Sequence, residues 1–346
     1  MTRMLANADP ALRRTWHAVA RSKDVTSVPV RTRLLGEDWM LVRLPDGELG
    51  SSPSTLTAFL DRCPHRLAPL SAGWVDGSTL RCGYHGWCFA ADGHCTEIPS
   101  LGESEHVPSR AAATKPGGLA ERNGMVFLAP EPPVTELLDV PEAVDPAFTH
   151  GSLEPIRARV GAGLMIDNFL DMAHFPFVHQ ATIGTPEAET FEFVVDREGL
   201  GMRVHARHPF PHREDPGVAA GIRPLIQTRA LEYRYRAPFS ICLRIDYVEA
   251  GGTNVLDFYV QPEDNDHCLV YTTVHRNDLA GDPEGMAEAV AFERKIIDED
   301  LALQERFVDR RIPLDLTTEV HVKADRMTIE LRRILGDLVT AATDLS

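Results

Sequence analysis

The chain has 346 residues, a formal net charge of −16 from 35 Lys+Arg against 51 Asp+Glu, and 43% apolar residues. That length allows roughly two domains with buried cores, and the composition is neither collagenous, disordered nor disulfide-dense. The acidic balance excludes nucleic acid and anionic membrane as main partners, because both need a basic footprint.

The first twenty residues lack the apolar run of a secretory signal, and the residues after Arg13-Arg14 are polar where a twin-arginine signal would be apolar. No stretch approaches the roughly 18 apolar residues of a membrane span. The expected compartment is the cytoplasm, where thiols stay reduced. Six cysteines are too few for a disulfide scaffold and are expected to be inert thiols or metal ligands.

From Val28 to about Val126 the sequence reads as short strands broken by turns. Examples are Trp39 to Arg43 before Pro45-Asp46-Gly47, and Leu80 to Phe89 before Ala91-Asp92-Gly93. Trp16, Trp39, Trp74 and Trp87 all lie in the first 90 residues. A small all-β domain is expected over 1–130. The run Ala129-Pro130-Glu131-Pro132-Pro133 and the acidic stretch to Asp145 predict a linker over 131–148. The remainder, 149–346, forms a second domain. Leu231 to Arg236 alternates with period two, and Pro238 to Tyr247, Asn254 to Val260 and His267 to His275 continue an antiparallel sheet. Two helices follow, one starting at Asp282-Pro283 and one from about Asp325 with Met327, Leu331, Leu335 and Leu338 on one face.

Cys63-Pro64-His65 and Cys82-Gly83-Tyr84-His85 are two short ligand loops, each followed by a turn. Two thiolates and two imidazoles are what a Rieske [2Fe–2S] centre needs, with sulfur on one iron and nitrogen on the other. The other reading is a structural zinc site, although zinc loops usually begin with C-x₂₋₄-C. The remaining cysteines, Cys88, Cys95, Cys242 and Cys268, have no spacing partner.

A second constellation runs from Asp167 to His179. An iron that activates O₂ needs two histidines and a carboxylate on one side, leaving other positions open. In an unbroken helix His174 and His179 would point about 140° apart. Pro176 lies between them and should end or distort the helix. Asp171, three residues before His174, can orient its ring. On the helix after Pro283, Ala289, Phe292, Ile296, Leu303 and Phe307 read as an apolar stripe with Asp300 inside it. A lone carboxylate there is expensive unless it binds a cation, so Asp300 is the candidate third ligand. Asp298 and Glu299 read as solvated charge. The histidines at 205, 208 and 212 lie in a proline-rich stretch and read as solvated loop residues.

Cys82-Gly83-Tyr84-His85-Gly86-Trp87 resembles the second cluster loop of Rieske non-haem iron oxygenases. The extra cysteines of respiratory Rieske proteins are replaced here by Ala68 and Tyr84. The order and separation of both motifs resemble the oxygenase (α) component, in particular the vanillate O-demethylase-like monooxygenases. The resemblance implies an α+β chain, with a Rieske domain followed by a helix-grip (START/Bet v1-like) catalytic domain, assembled as a homotrimer. It implies a cluster on Cys63, His65, Cys82 and His85 and a mononuclear Fe(II) on His174, His179 and Asp300. Asp171 would bridge His174 to His85 of the neighbouring subunit. Electrons would come from NAD(P)H through a separate reductase, with or without a ferredoxin. With O₂, the enzyme would hydroxylate or O-/N-demethylate a small aromatic or heterocyclic substrate. The alternatives are an aromatic-ring cis-dihydroxylase and a non-catalytic Rieske electron carrier, the latter having no use for the second constellation.

An apolar pocket is expected from Phe175, Phe177, Ile183, Phe239, Phe258 and Tyr259. Arg62, Arg66 and Arg81 flank the cluster ligands and predict a basic rim where an acidic electron donor docks.

Overall fold

Alternation along strand Ile226–Arg236 buries Leu231, Tyr233 and Tyr235 on one face, and of the three strands that follow Thr253–Pro262 is buried along its whole length. Ser240–Tyr247, Thr253–Pro262 and Cys268–Arg276 pair antiparallel in sequence, with Tyr235, Ile241, Phe258 and Thr272 in one cross-strand row. Gly201–Pro211 and Phe193–Arg197 extend this sheet on one side, and Thr149–Ser152 and Ile156–Ala158 pair with its last long strand. His205 and His208 therefore sit on a strand rather than in a loop, and His212 follows it, stacked on Tyr247.

The computed structural model describes residues 3–46, 54–101, 106–183, 190–212 and 215–343; Gly47 of the expected 45–47 turn lies outside them. The helices are α1 (Ala162–Leu170), α2 (Phe175–Val178), α3 (Pro216–Ala219), α4 (Pro283–Gln304) and α5 (Arg326–Thr343). α1 packs on strand Thr253–Pro262, and α4 packs on Thr149–Ser152 and Cys268–Arg276. Met327, Leu331, Leu335 and Leu338 of α5 are buried, as their spacing predicts. No described helix is long and apolar enough to cross a membrane.

The stripe expected on α4 is rotated. Phe292, Leu303 and Phe307 are exposed, whereas Met286, Ile297, Leu301 and Gln304 are buried. Both sets follow helical spacing, and the polar residues that the site requires hide the true inner face from a hydrophobicity reading.

The chain divides into two units, Arg13–Pro133 and Met1–Leu12 with Val134–Ser346. The domain expected over 1–130 thus begins later. Met4–Leu5 pair with Ile312–Pro313, so the first residues belong to the second unit. Asn7 reinforces this placement: its Oδ1 accepts from the Ala162 N–H at 2.8 Å and its Nδ2 donates to the carbonyls of Asp264 and His267. It supplies α1 with the N-terminal cap that Gly161 cannot.

Most of the segment expected as a linker is packed as well. Leu138 and Val140 are buried, and the buried Glu142 carboxylate accepts from Arg234 at 2.9 Å and Arg244 at 2.8 Å. Burial opposes ionisation of Glu142, but the two guanidiniums outweigh it and hold its pKa below the usual carboxylate value. Glu142→Gln should cost about 3 kcal/mol by leaving Arg234 uncompensated, lowering Tm by roughly 6–12 °C. A depressed carboxylate stabilises above its unfolded pKa. Calorimetry should therefore show the difference in full at neutral pH and see it shrink as acid protonates Glu142 in the wild type.

The unit Arg13–Pro133 is all β. Among the described residues it holds two three-stranded sheets and a four-stranded one made of Trp74–Asp76, Thr79–Arg81, Cys88–Phe89 and Cys95–Glu97. The run Leu80 to Phe89 is not one strand but two short ones separated by residues 82–87. That interruption is where the first site is built.

Candidate metal centres

Two six-residue loops in the all-β unit share one backbone plan. The Cys63 N–H donates to the Ala68 carbonyl and the Leu67 N–H to the Cys63 carbonyl, at 2.8 and 2.9 Å. In the second loop the Cys82 N–H donates to Trp87 and the Gly86 N–H to Cys82, at 2.8 and 3.1 Å. The fifth residue of each loop is left-handed, with φ of 59° at Leu67 and 72° at Gly86. Glycine adopts this conformation freely; leucine does so at a cost of about 1 kcal/mol, a strain held at a candidate site.

The plan faces the loops towards each other. The His65 and His85 rings lie 4.4 Å apart, and Trp87 stacks on His65 at 4.6 Å. Cys63 and Cys82 are buried, whereas His85 is exposed. Burial, with Cys82 beside it, pushes the Cys63 thiol up to about 11, so its thiolate forms only against a cation. His65 Nδ1 is buried without a hydrogen-bond partner, an orphan that a metal would satisfy. Among the described residues these four ligands do not converge on a single-ion site. Two thiolates and two imidazoles on paired loops suit ligands divided between two irons. The other four cysteines are buried and free. Arg81 is not part of an open rim. It pairs with Asp76 at 2.7 Å and Glu97 at 2.9 Å and donates to the Gly86 carbonyl, bracing the second loop.

The second site lies in the other unit. α1 ends at Leu170 with Asp171 extended, and Pro176 falls in the first turn of the short α2, so the break comes before the proline rather than at it, and the two histidines flank α2. His174 and His179 thereby face each other, with their Nε2 atoms 3.1 Å apart. Asp300 Oδ1, from α4, lies 3.4 Å from the first and 3.2 Å from the second. Among the described residues this is the group whose ligand atoms converge on one point, and bonds of about 2.1 Å give spacings of this size. Asp300 Oδ1 is also buried with no hydrogen bond of good geometry.

Charge in the site is organised for a cation. Burial works against it, but the adjacent imidazoles and Asn168 hold the Asp300 carboxyl at about 2. His174 is raised to about 9, because Asp171 and Asp300 outweigh the opposing effect of burial. Asp171 Oδ2 lies 3.3 Å from His174 Nδ1, and its Oδ1 accepts from the Ala173 N–H. Glu299, read from sequence as solvated, instead contacts His179 Nδ1 at 2.8 Å and accepts from Thr182 at 2.7 Å. It would orient His179 as Asp171 orients His174. Its neighbour Asp298 does face solvent, paired with Arg294.

A narrow cleft leads from Asp300 between α1, α4 and the sheet. Phe258 lines it, together with Met165, Phe169, Leu256 and Ile296. Tyr259 does not, because adjacent strand residues face opposite sides. Phe239 and Tyr259 are buried elsewhere, Phe177 is 67% exposed, and Phe175 packs edge-on to both histidines. Neither Phe175 nor Ile183 is among the lining residues.

Comparison with known proteins matches residues 15–111 to the Rieske [2Fe-2S] domain and residues 158–341 to the vanillate O-demethylase oxygenase C-terminal domain. The chain is 27% identical over 339 residues to methylxanthine N1-demethylase of Pseudomonas putida, covering 95% of this chain and 90% of that protein. It is 30% identical over 186 residues to the oxygenase component of dicamba O-demethylase from Stenotrophomonas maltophilia, covering 52% and 51% of the two chains. The match thus spans about half of the dicamba enzyme. The solved structure of the Pseudomonas putida demethylase with caffeine superposes with a TM-score of 0.82 at 25% identity, over 98% of this chain and 94% of that one. Dicamba monooxygenase with 3,6-dichlorosalicylic acid shares the fold at a TM-score of 0.82 and 20% identity, over 96% and 98%.

Proposed function

Because the chain belongs to the Rieske oxygenase family, with a vanillate O-demethylase-type C-terminal domain, we propose that it is the terminal oxygenase of a multicomponent monooxygenase. The observation that carries this reading is the convergence of His174, His179 and Asp300 at the end of an apolar cleft. The family's cofactors are a [2Fe–2S] Rieske cluster and a mononuclear iron, and the donor sets fit one of each. Cys63, His65, Cys82 and His85 would hold the cluster; the triad would hold the iron. Together these cofactors supply electrons and activated oxygen for insertion into a C–H bond.

The protein's own part is positional. Asp171 and Glu299 fix the two rings, so that the triad occupies one side and leaves the cleft side for oxygen and substrate. Met165, Phe169, Leu256 and Phe258 exclude water and hold an apolar or aromatic body beside the triad. If the carbon presented is an O- or N-methyl, the hydroxylated product collapses to formaldehyde, as in a demethylase. The enzyme acts in the cytoplasm as a homotrimer, without nucleic acid or membrane. Asp171 is the residue that would link His174 to His85 of a neighbouring subunit.

The partner is an NAD(P)H-dependent reductase, with or without a ferredoxin. Its docking rim is Arg62 and Arg66, both exposed, since Arg81 is engaged by carboxylates. Reversing both charges should slow cluster reduction about tenfold at low ionic strength. The difference should disappear near 1 M salt, where screening acts within about 3 Å. Stopped-flow reduction traces test this, and identical rates at low salt would remove the rim from the interface.

The reading itself is tested by substrate-dependent O₂ uptake across methoxylated aromatics and N-methyl heterocycles, with product identification. Formaldehyde or a monohydroxylated product is the expected outcome. A cis-diol would replace it with the dihydroxylase alternative.

A further inference from the structure

One charged side chain in the cleft has no place in the chemistry described above. Glu293 lies on α4 seven residues before Asp300, about 10 Å up the helix axis and on the same face. It lines the cleft with Phe169 and Phe258, whose rings are 4.7 Å apart, and with Ile296 and Ile297. Among the described residues its carboxylate forms no hydrogen bond or ion pair with another side chain. Across the cleft stands Thr272, 5% exposed, with a buried hydroxyl that has no hydrogen-bond partner. An unpaired carboxylate and an unsatisfied hydroxyl on an otherwise apolar wall cost free energy unless a ligand completes them.

Resting on the oxygenase reading, we infer that Glu293 is a specificity-determining residue that takes a cationic nitrogen of the substrate. The nitrogen, an ammonium or methylated amine, sits between Glu293 and the Phe169 and Phe258 rings, and the other end of the substrate presents its C–H bond at the triad. Carboxylate and ring faces together are the combination that holds such cations. Burial raises the Glu293 carboxyl to about 7, and a cation beside it would restore the charged form.

The surroundings favour that sign. With Asp171 and Glu299 beside the triad's own Asp300, the site holds three carboxylates, more than a divalent ion neutralises. Of the arginines whose charge reaches Glu293, Arg276 is held by Asp278 at 2.7 and 2.6 Å, and Arg229 lies 3.7 Å over the Phe210 ring. The net charge of −16 further lowers the cost of bringing in a cation.

The test is calorimetric binding to the iron-loaded full chain, under anaerobic conditions and without an electron donor, so that nothing turns over. Phenyltrimethylammonium and its neutral isostere tert-butylbenzene are the probes. The wild type should bind the cation about tenfold or more tightly than the isostere, and Glu293→Gln should bring the two within about threefold of each other. Equal affinities in the wild type, or tighter binding of benzoate than of either, would overturn the assignment. The wild-type comparison stands even if the variant fails to fold. O₂ uptake with neutral methoxyarenes but not with ammonium compounds would sink this inference and leave the oxygenase reading intact. Cation-selective binding without O₂ uptake on any substrate would do the reverse.

Discussion

His174→Ala is expected to abolish turnover while leaving the brown colour of the protein unchanged. The imidazole is one of three atoms that converge within 4.8 Å, and two remaining ligands cannot fix an ion in a site this small. Loss of an outer hydrogen-bond partner such as Glu299 would cost roughly 10–100-fold in metal affinity or activity; loss of a ligand should exceed that. Metal analysis should show about one iron fewer per chain, and visible spectra should match the wild type. A variant that retained turnover, or that lost its colour, would contradict the division of labour between the two sites.

Cys82→Ala should produce the complementary result. Cys82 is 1% exposed, and its own N–H and carbonyl close the second loop, so the backbone plan survives while the sulfur ligand disappears. A [2Fe–2S] centre cannot be held on one thiolate and two imidazoles, so the visible bands and both cluster irons should be absent. The triad, in the other unit, should still bind about one iron per chain, and reductase-driven turnover should be lost entirely. A colourless variant that still turned over with the reductase would mean that electrons reach the triad by another route.

How far these sites were legible follows from how local they are. Cys63 with His65, Cys82 with His85, and His174 with His179 each lie within six residues, so spacing alone exposes them. Asp300 was found through an apolar stripe whose other members, Phe292 and Leu303, prove exposed. The cost of burying a carboxylate was the sounder part of that argument. Glu299 and Glu293 escaped because their roles depend on how α4 is rotated about its axis, and their own charge disguises the inner face. Asn7 could not be read at all: it serves Ala162, 155 residues away, and no local pattern encodes that pairing. Alternation marks Leu231–Arg236, but the equally long Gly201–Pro211 is hidden by its histidines and prolines, and in the expected linker proline and acidic content describe solubility better than packing. In Glu142 that acidity serves an ion pair with Arg234.

The pairing of Met4–Leu5 with Ile312–Pro313 also dictates a sequence of events during synthesis. The ribosome emits the first edge of the catalytic unit, then the whole cluster-bearing unit, and only much later the strand that the first edge needs. At 5–20 residues per second that interval is roughly 15–60 s. The β unit can therefore fold, and its thiols can meet iron and sulfide, while the unit that will use the electrons is still unfinished. Met4 and Leu5 spend that time without their partner, whereas Ala162, which Asn7 caps, emerges about halfway through it. Maturation should therefore proceed from the electron-receiving end towards the oxygen-using end.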